Sequence, residues 1–402
     1  MSETTAGAPL ARPESETAFA VIGALAFCHL VNDMMQALMM AIYPLLKASY
    51  ALDFAQIGLL TLAYQVTASL LQPLIGLATD RRPQPYVLAI GMGFTVAGVL
   101  LLAFAGSFAF LLAASTLVGI GSAIFHPDAS RMARHASGGR HGLAQSLFQV
   151  GGNVGHALGP LAAAMVVLGR GQESVAWFVP AGLVAAVVLW QVAGWSRRRE
   201  ARLGTGRGRV AGTAALSPAR VTFALAILCL LVFSKFVYMA SLSSYFTFYL
   251  METFGIAVTD AQMQLFLFSA AVAFGTLVGG PIGDRIGRRR VIWISILGIL
   301  PFTLALPHVG LAATSVLVVL IGVVLASAFP AIVVYAQELL PGRVGMVAGL
   351  FFGLAFGIGG IGAAVLGEVA DADGIAVVYR ICSVLPAIGL LAVFLPDVEG
   401  RA

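Results

Sequence analysis

Two ionisable side chains lie deep inside long apolar segments of this sequence. Asp33 lies 14 residues into the segment 19–46, and Lys235 lies about 14 residues into the segment 220–250. A charge at the centre of a membrane-spanning helix costs about 2.5–3.5 kcal/mol, so residues of this kind usually serve a function. We interpret the carboxylate as a proton carrier and the ammonium as a binding group for an anion. At equal depth the two could form an ion pair that a bound anion replaces, or a pair that only holds the protein together.

Further polar side chains lie at helical spacing around these two. His29 and Gln36 share one helix face with Asp33, and Gln145, Gln149, Asn153 and His156 form a stripe in the segment 141–168. Hydrogen bonding between helices is the alternative function of that stripe. The predicted path for substrate and protons comprises Asp33, Lys235, His29, Asn32, Gln36, His126, Asp128, Arg131, Gln149, Asn153, His156, Tyr238 and Tyr335.

The segments that carry these residues are too apolar for a soluble protein. Hydrophobic residues make up 59% and charged residues 10% of the 402 positions, where a soluble domain has about 25% charged residues. About 20 apolar residues cross a bilayer core, and they must be helical because lipid leaves backbone groups unpaired. We predict an all-α polytopic membrane protein with twelve transmembrane helices, at residues 19–46, 55–78, 86–105, 108–134, 141–168, 174–195, 220–250, 262–283, 291–307, 311–339, 344–369 and 373–395.

The basic residues are distributed asymmetrically between the predicted connections. With twelve helices and a cytoplasmic amino terminus, 19 of the 23 Lys and Arg residues fall on the cytoplasmic side, all except Lys47, Arg170, Lys235 and Arg380. This is the positive-inside rule, and it predicts a multi-pass protein of the inner (plasma) membrane with both termini in the cytoplasm. The pI of about 9.3 therefore reflects membrane topology and does not indicate binding to nucleic acid.

The two halves of the chain repeat the same motifs. Gly76-x3-Asp80-Arg81 is repeated 204 residues later as Gly280-x3-Asp284-Arg285, and Phe125-His126-Pro127 is repeated as Phe329-Pro330. Internal repeats of this kind are common in secondary transporters, with the substrate site near the midplane between the repeats. We predict a cytosolic tail at 1–18, a six-helix bundle at 19–195, a cytosolic linker at 196–219, a second six-helix bundle at 220–395 and a tail at 396–402.

The segment from Gly280 to Arg290 closely resembles the signature loop of the major facilitator superfamily. It reads Gly-Pro-Ile-Gly-Asp-Arg-Ile-Gly-Arg-Arg-Arg. The resemblance implies the major facilitator fold, in which the acidic and basic residues of this loop lock the cytoplasmic ends of neighbouring helices. In the first copy Arg82-Pro83-Gln84-Pro85 replaces the Gly-Arg-Arg portion, so we expect a weaker or different lock there. The predicted conformational lock comprises Gly76, Asp80, Arg81, Gly280, Asp284, Arg285, Gly287 and Arg288.

A glycine stripe in the fifth predicted helix indicates close helix packing. Gly151, Gly155 and Gly159 recur every four residues and are followed by Pro160, which predicts a smooth packing face. The portion from Gly155 to Pro160 partly resembles the fifth-helix signature of antiporters in the same superfamily.

Most of the chain is similar to the fosmidomycin-resistance branch of that superfamily. The similarity lies in the residues from His126 to Asn153, in His29-x2-Asn32-Asp33 and in the glycines from Gly357 to Gly362. It implies proton-driven efflux of small polar or anionic compounds, including a phosphonate antibiotic. Many drug–proton antiporters have an Arg in the fourth helix that is absent here, and His126, Asp128 and Arg131 are the available substitutes.

These observations predict a secondary active transporter that is not an enzyme. The favoured function is proton-coupled efflux, by antiport, of a small polar or anionic compound such as a phosphonate antibiotic. Proton-coupled uptake of an organic anion is the alternative, because the same fold can run in both directions. A membrane-embedded enzyme is less well supported, since the sequence contains neither a zinc-protease motif nor a nucleophile elbow. A channel is less well supported because a duplicated body with signature cytosolic locks suits alternating access. The expected partners are the substrate, protons and membrane lipids, with a monomeric chain, no nucleic acid, no cofactor and no metal ion.

Overall fold

The computed structural model describes residues 17–52, 54–84, 86–203 and 216–398, and these ranges contain helices and connections but no strand. We number the twelve main helices in chain order. They are α1 (Phe19–Ala41, continued as Tyr43–Ser49), α2 (Phe54–Arg81), α3 (Val87–Ala103), α4 (Phe108–Ala136), α5 (His141–Ala162), α6 (Val179–Leu203), α7 (Pro218–Phe254), α8 (Val258–Ile286), α9 (Arg288–Leu297, continued as Leu300–Ala305), α10 (Leu311–Ala326 and Ala328–Leu339), α11 (Val344–Asp373) and α12 (Ile375–Ser383, continued as Leu385–Phe394).

The predicted fold class is confirmed. Eleven helical stretches of the described chain are long and apolar enough to cross a membrane, and α3 is a shorter apolar helix of 17 residues. The expected tails at residues 1–16 and 399–402, and the linker residues 204–215, lie outside the described ranges. The division into two six-helix bundles stays a prediction, with α1–α6 as the helices of the first half and α7–α12 as those of the second.

The predicted start of the flexible linker, at residue 196, is wrong. Helix α6 continues to Leu203, so residues 196–203 are helical, whereas the sequence predicts a flexible connection there. That prediction rests on the loss of apolar character at Ser196, which marks where a helix leaves the bilayer. The backbone itself continues because Arg, Glu, Ala and Leu, which make up most of these residues, favour a helix.

The two halves contact each other mainly through two helix pairs. Helix α2 of the first half packs along α11 of the second, and α5 packs along α8. Glycines allow these approaches, because a Cβ on Gly349 would collide with the carbonyl oxygen of Gln72, and one on Gly280 would collide with that of Gly142. These contacts leave a cavity between the halves at the level of Asp33.

The glycine stripe of α5 packs against α1. A Cβ on Gly151 would collide with the carbonyl oxygen of Ala26, and a Cβ on Gly155 would collide with that of Leu30. Pro160 at the end of the stripe is exposed and precedes a turn of π-helix at Ala163–Val167. At Gly151 and Gly155 the backbones of α1 and α5 therefore approach each other with no side chain between them.

We expect Gly155→Ala to destabilise the protein by about 1–3 kcal/mol, because the new methyl group meets the Leu30 backbone, which cannot move without displacing α1. The measurement is thermal unfolding of the detergent-purified protein. Gly93→Ala is the matched control, since a Cβ added to Gly93 in helix α3 would meet no atom beyond its own stretch of helix within 4 Å. Equal unfolding temperatures for the two variants would contradict the tight α1–α5 contact.

Candidate functional site

A buried carboxylate is surrounded by three histidines from three helices. Helix α1 supplies Asp33 and His29, whose Nε2 atom lies 3.1 Å from Asp33 Oδ2. Helix α4 supplies His126, with Nε2 3.4 Å from Asp33 Oδ1, and α5 supplies His156, with Nδ1 3.3 Å from Oδ2. The side chain of Asp33 is only 5% exposed, whereas that of His156 is 41% exposed. We call these four residues the Asp33 cluster; it is buried on one side and accessible at His156.

Backbone carbonyls fix the hydrogens on two of these imidazoles. His29 Nδ1 lies 2.7 Å from the carbonyl oxygen of Phe148, and His126 Nδ1 lies 2.9 Å from that of Ser122. A carbonyl oxygen only accepts, so Nδ1 must carry the hydrogen in both rings. In a neutral ring Nε2 is then a bare lone pair, and both Nε2 atoms face the Asp33 carboxylate. Each contact becomes favourable only when a proton lies between nitrogen and oxygen.

Amide side chains hold the carboxylate in place. Asn32 Nδ2 donates to Asp33 Oδ1 over 3.1 Å, and Gln36 Nε2 donates to the same oxygen over 3.4 Å. The amide oxygens are in turn fixed, because Thr95 donates to Asn32 and the Tyr64 hydroxyl donates to Gln36. The sequence predicts Asn32 and Gln36 along the path; both instead lie behind the cluster and orient it.

The second half of the protein supplies a buried cation to the same cavity. Lys235 on α7 is 5% exposed, and its Nζ donates to the carbonyl oxygen of Ala326 over 3.4 Å. The ammonium also lies over the rings of Phe236 and Phe329, 5.4 and 5.5 Å from their centroids. The cavity has a volume of about 190 Å³. It places one cationic and several protonatable groups around a space that fits a small molecule.

The polar stripe of α5 faces this cavity. Gln149, Asn153 and His156 line it, and Asn153 Nδ2 donates to Thr276 Oγ1 of α8 over 3.2 Å. The stripe therefore both lines the cavity and forms a hydrogen bond between the halves. The remaining member, Gln145, accepts a hydrogen bond from Ser130 outside the cavity.

The ion pair that the sequence suggests between Asp33 and Lys235 does not form. Within the described ranges, the ion-pair partners of Asp33 are histidines, while Lys235 binds a carbonyl oxygen. Both groups line the same cavity, as their equal depth in the sequence indicates. A bound anion therefore has no Asp33–Lys235 ion pair to replace in this structure. The Asp33 carboxylate has histidine partners instead.

Four predicted path residues lie elsewhere. Tyr238 is 2% exposed and belongs to the apolar core of the second half, and the Tyr335 hydroxyl donates to the carbonyl oxygen of Pro396. Asp128 and Arg131 form an ion pair with each other, and Arg131 also donates to the carbonyl oxygen of Thr79, 2.8 Å away, beside the predicted lock. Helical spacing placed them on plausible faces, but the bundle turns those faces away from the cavity.

Aromatic residues of the second half were not predicted. Phe236, Phe329, Phe352 and Phe356 line the cavity, together with Thr276. One signal was present in the sequence, because Phe329 is the repeat counterpart of His126 at an offset of 203 residues. The other three occur in apolar runs where no local pattern distinguishes a cavity wall from a lipid-facing surface.

The cluster presents atoms that suit more than one cation. Ligand atoms of His29, Asp33 and His126 lie within 4.8 Å of one another, a spacing that would also admit a metal ion. A proton shared with the carboxylate would satisfy the contact of each Nε2 atom without any further ligand.

One lock residue ties the second half to the first. The Asp284 carboxylate on α8 accepts hydrogen bonds from the backbone N–H groups of Gly142 and Leu143, each 2.9 Å long. These groups belong to the first turn of α5, where the helix dipole and unpaired N–H groups favour an anion. Arg288 adds an ion pair to Asp284 at 3.0 Å and reaches Glu338 at 3.4 Å.

The repeat copy forms the reciprocal contact. Asp80 on α2 accepts from the backbone N–H groups of Gly345 and Met346, at 2.9 and 2.8 Å, in the first turn of α11. The carboxylate contacts are thus equivalent in the two copies. What the first copy lacks is the Arg288 ion pair, because Gln84 stands at the corresponding position. We call these two contacts the lock, and the end of the molecule that contains them the lock end.

The other predicted lock residues divide into two groups. Gly76 and Gly280 lie where a Cβ would collide with Gly345 and Gly142, so they permit the close approach. Gly287 has φ 97°, a conformation that glycine adopts readily, and forms the corner between α8 and α9. Arg81 and Arg285 are exposed; the motif places them one residue beyond the carboxylates, on the outer helix face.

Comparisons with known proteins agree with this architecture. The sequence profile of the Major Facilitator Superfamily matches residues 25–361 and 228–402 in two overlapping alignments. The chain is 55% identical over 395 residues to the fosmidomycin resistance protein of Escherichia coli (strain K12), covering 98% of this chain and 97% of that protein. It is 40% identical to the uncharacterized MFS-type transporter YfnC of Bacillus subtilis (strain 168), covering 95% and 94% of the two chains.

Solved structures support the same fold. The outward conformation of the transporter FucP matches with a TM-score of 0.75 at 16% identity, covering 96% of this chain and 100% of that one. The human organic anion transporter MFSD10 matches with a TM-score of 0.70 at 18% identity, with coverage of 96% and 100%. Together with the twelve helices of the described residues, the reciprocal lock and the central cavity, the family profile and the two sequence relatives show that the chain is a multi-pass membrane transporter and not an enzyme, and that it belongs to the fosmidomycin-resistance branch of the major facilitator superfamily.

Proposed function

We propose that this transporter exports a small polar or anionic compound, such as a phosphonate antibiotic, in exchange for protons. The observation that supports coupling best is the Asp33 cluster, in which two carbonyl-fixed imidazoles face one carboxylate. Its contacts need protons to be stable, so protonation and the geometry of the cavity wall are linked. The similarity to a fosmidomycin resistance protein supports export of a phosphonate.

The cavity supports a small anion as the substrate. Lys235 supplies a buried ammonium, which favours an anionic ligand. Drug-sized ligands usually occupy pockets of about 300–1,000 Å³, whereas this cavity is about 190 Å³. A compact compound with one charged group therefore suits the site better than a large lipophilic drug.

Coupling then follows from two sites that share one cavity. An anion bound near Lys235 adds negative charge close to His156, which lines the same cavity and contacts Asp33. Negative charge favours the protonated imidazole, so occupation of the cavity by the anion and protonation of the Asp33 cluster influence each other. Export by antiport requires that the anion leave from this state, on the side away from the lock end, while the protons stay bound, and that the protons leave on the other side after the lock end opens.

The proposed orientation follows from the distribution of basic residues. We infer that the protein lies in the inner (plasma) membrane with the lock end towards the cytoplasm, where 19 of the 23 basic residues would lie. We infer a monomer surrounded by lipid, because one chain contains both halves of the cavity. In this orientation the described conformation is closed to the cytoplasm.

Proton-coupled uptake of an organic anion is the second candidate. It is favoured by the same lysine and cavity, since neither indicates a direction of transport. Reconstituted liposomes separate the two functions. With a pH gradient imposed in each direction, export predicts movement of a phosphonate against the proton flux, and uptake predicts movement with it. Flux that ignores the gradient and does not saturate would indicate a channel and contradict both.

We expect Lys235→Gln to weaken binding of an anionic substrate by about 10- to 100-fold. Gln keeps a donor but loses the charge, and a hydrogen bond to a charged group contributes about 1.5–3 kcal/mol. The measurement is binding of a radiolabelled phosphonate to purified protein. Lys47→Gln is the matched control, because Lys47 is the other lysine of the chain and does not line the cavity. Unchanged phosphonate binding by Lys235→Gln would remove Lys235 from the site.

A further inference from the structure

A second and larger cavity lies at the lock end, away from the Asp33 cluster. It has a volume of about 540 Å³ and is bounded by the corner between α8 and α9 and by the end of α12. Arg285, Arg289 and Arg290 line it, with Asp397 as the one carboxylate among its lining residues. Three arginines against one carboxylate leave an excess of two positive charges around this space.

The arginines of this corner separate into an inner and an outer group. Arg288 is 7% exposed and points to the lock, where it pairs with Asp284 and Glu338. Arg289 donates to the carbonyl oxygen of Val393 on α12 over 2.6 Å, and Arg290 donates to that of Ile286 over 3.4 Å. Each of these bonds uses one N–H of a guanidinium that has five, so further donors are available to a ligand with several acceptor oxygens.

The same cavity opens onto the lipid-facing surface. Trp293 and Ile294 on α9 line it and are 42% and 46% exposed, and Val393 on α12 is 55% exposed. On a membrane protein such exposed apolar side chains contact acyl chains. Tryptophan is also enriched at the level of the lipid headgroups, which is where the turn between two membrane-spanning helices lies. The cavity therefore joins a cationic part at the membrane surface to an apolar part within the bilayer.

We propose that this cavity binds an anionic phospholipid, with the headgroup phosphate held by Arg289 and Arg290 and an acyl chain along Trp293 and Ile294. Guanidinium groups bind phosphate oxygens with well-defined geometry, and basic pockets between transmembrane helices are known to hold anionic headgroups. A free phosphate ion would satisfy the arginines alone. The apolar wall continuous with the bilayer favours the lipid.

The test uses delipidated full-length protein in detergent. Its thermal unfolding temperature is measured with increasing dioctanoyl phosphatidylglycerol, with dioctanoyl phosphatidylcholine and with inorganic phosphate. We expect a saturable rise in unfolding temperature with phosphatidylglycerol only, because a ligand that binds the folded state stabilises it. The double variant Arg289→Gln/Arg290→Gln should bind phosphatidylglycerol roughly 30-fold more weakly, from a loss of two charges at a lipid surface.

The double variant Arg198→Gln/Arg199→Gln is the matched control. It removes two arginines from the end of α6, which do not line this cavity, and it should bind the lipid as the wild type does. Equal stabilisation by phosphatidylcholine, or by phosphate alone, would overturn the proposal in favour of a nonspecific lipid surface or a free-anion site. Wild-type lipid affinity in the Arg289→Gln/Arg290→Gln variant would also overturn it. If that variant unfolds without lipid at a lower temperature than the wild type, the single variant Arg290→Gln, at an exposed position, decides the question by the same titration.

Discussion

Asp33→Asn is expected to abolish gradient-driven transport while leaving the protein folded and inserted. The asparagine keeps the shape of the carboxylate, but it cannot hold a negative charge between His29 and His126. Its amide can instead donate directly to one bare Nε2 atom, so the cluster no longer needs protons to be stable. We expect flux driven by an imposed pH gradient to fall to the level of protein-free liposomes, while exchange of substrate between the two sides continues.

The measurement is phosphonate flux in proteoliposomes with and without a pH gradient. Asp373→Asn is the control, because Asp373 is an exposed carboxylate at the end of α11 and its loss should leave flux unchanged. Gradient-driven flux at the wild-type rate in Asp33→Asn would exclude the cluster from coupling. Coupling would then have to be sought among the polar groups of the second half of the cavity.

The double variant Asp80→Asn/Asp284→Asn is expected to open the lock end. Each aspartate accepts two backbone N–H groups at a helix terminus, and an asparagine retains only one acceptor oxygen and no charge. A loss of about 1–2 kcal/mol at each site would shift the equilibrium away from the closed state by about one to three orders of magnitude for the pair. Turnover should fall more than substrate affinity, because the lock does not line the central cavity.

Cysteine accessibility measures this shift. Ser130→Cys, in a background without Cys28, Cys229 and Cys382, places a thiol in a buried position where Ser130 contacts Gln145 and Gln337. Labelling from the lock end should be slow with the intact lock, faster in each single variant and fastest in the double variant. The same labelling rate in all four proteins would show that Asp80 and Asp284 only shape the loops.

The sequence was sufficient for the fold and for one side of the site. Long apolar runs specify membrane helices directly, because the bilayer accepts little else. Within them Asp33 stood out as a costly group, with His29 on the same helix face and His126 as a candidate in the fourth helix. Their convergence could not be predicted in the same way. It depends on how α1, α4 and α5 rotate against each other, and helical spacing leaves that rotation open.

Tyr238 shows where the pattern was insufficient. It lies less than one turn from Lys235 on α7, and both side chains are buried, but one lines the cavity while the other packs in the core of the second half. A helix surrounded by protein on several sides carries apolar and polar residues around its whole circumference. The face that meets the cavity is then set by neighbouring helices and not by the helix's own sequence.

The glycine contact between α1 and α5 has a mechanical consequence. Because Gly151 and Gly155 bring the two backbones into direct contact, α5 could not slide against α1 at these positions without collision, and we expect the pair to move as one stiff rod. One end of α5 carries Gly142, held by Asp284, and His156 lies 14 residues further along, which is about 21 Å. A tilt of about 10° that begins with release of the lock would carry the histidine end through roughly 4 Å, comparable to known rotations of protein domains. In such a movement the α1–α5 pair would act as a lever arm, in which the loss of a few hydrogen bonds at the membrane surface produces a displacement large enough to change the shape of the binding cavity.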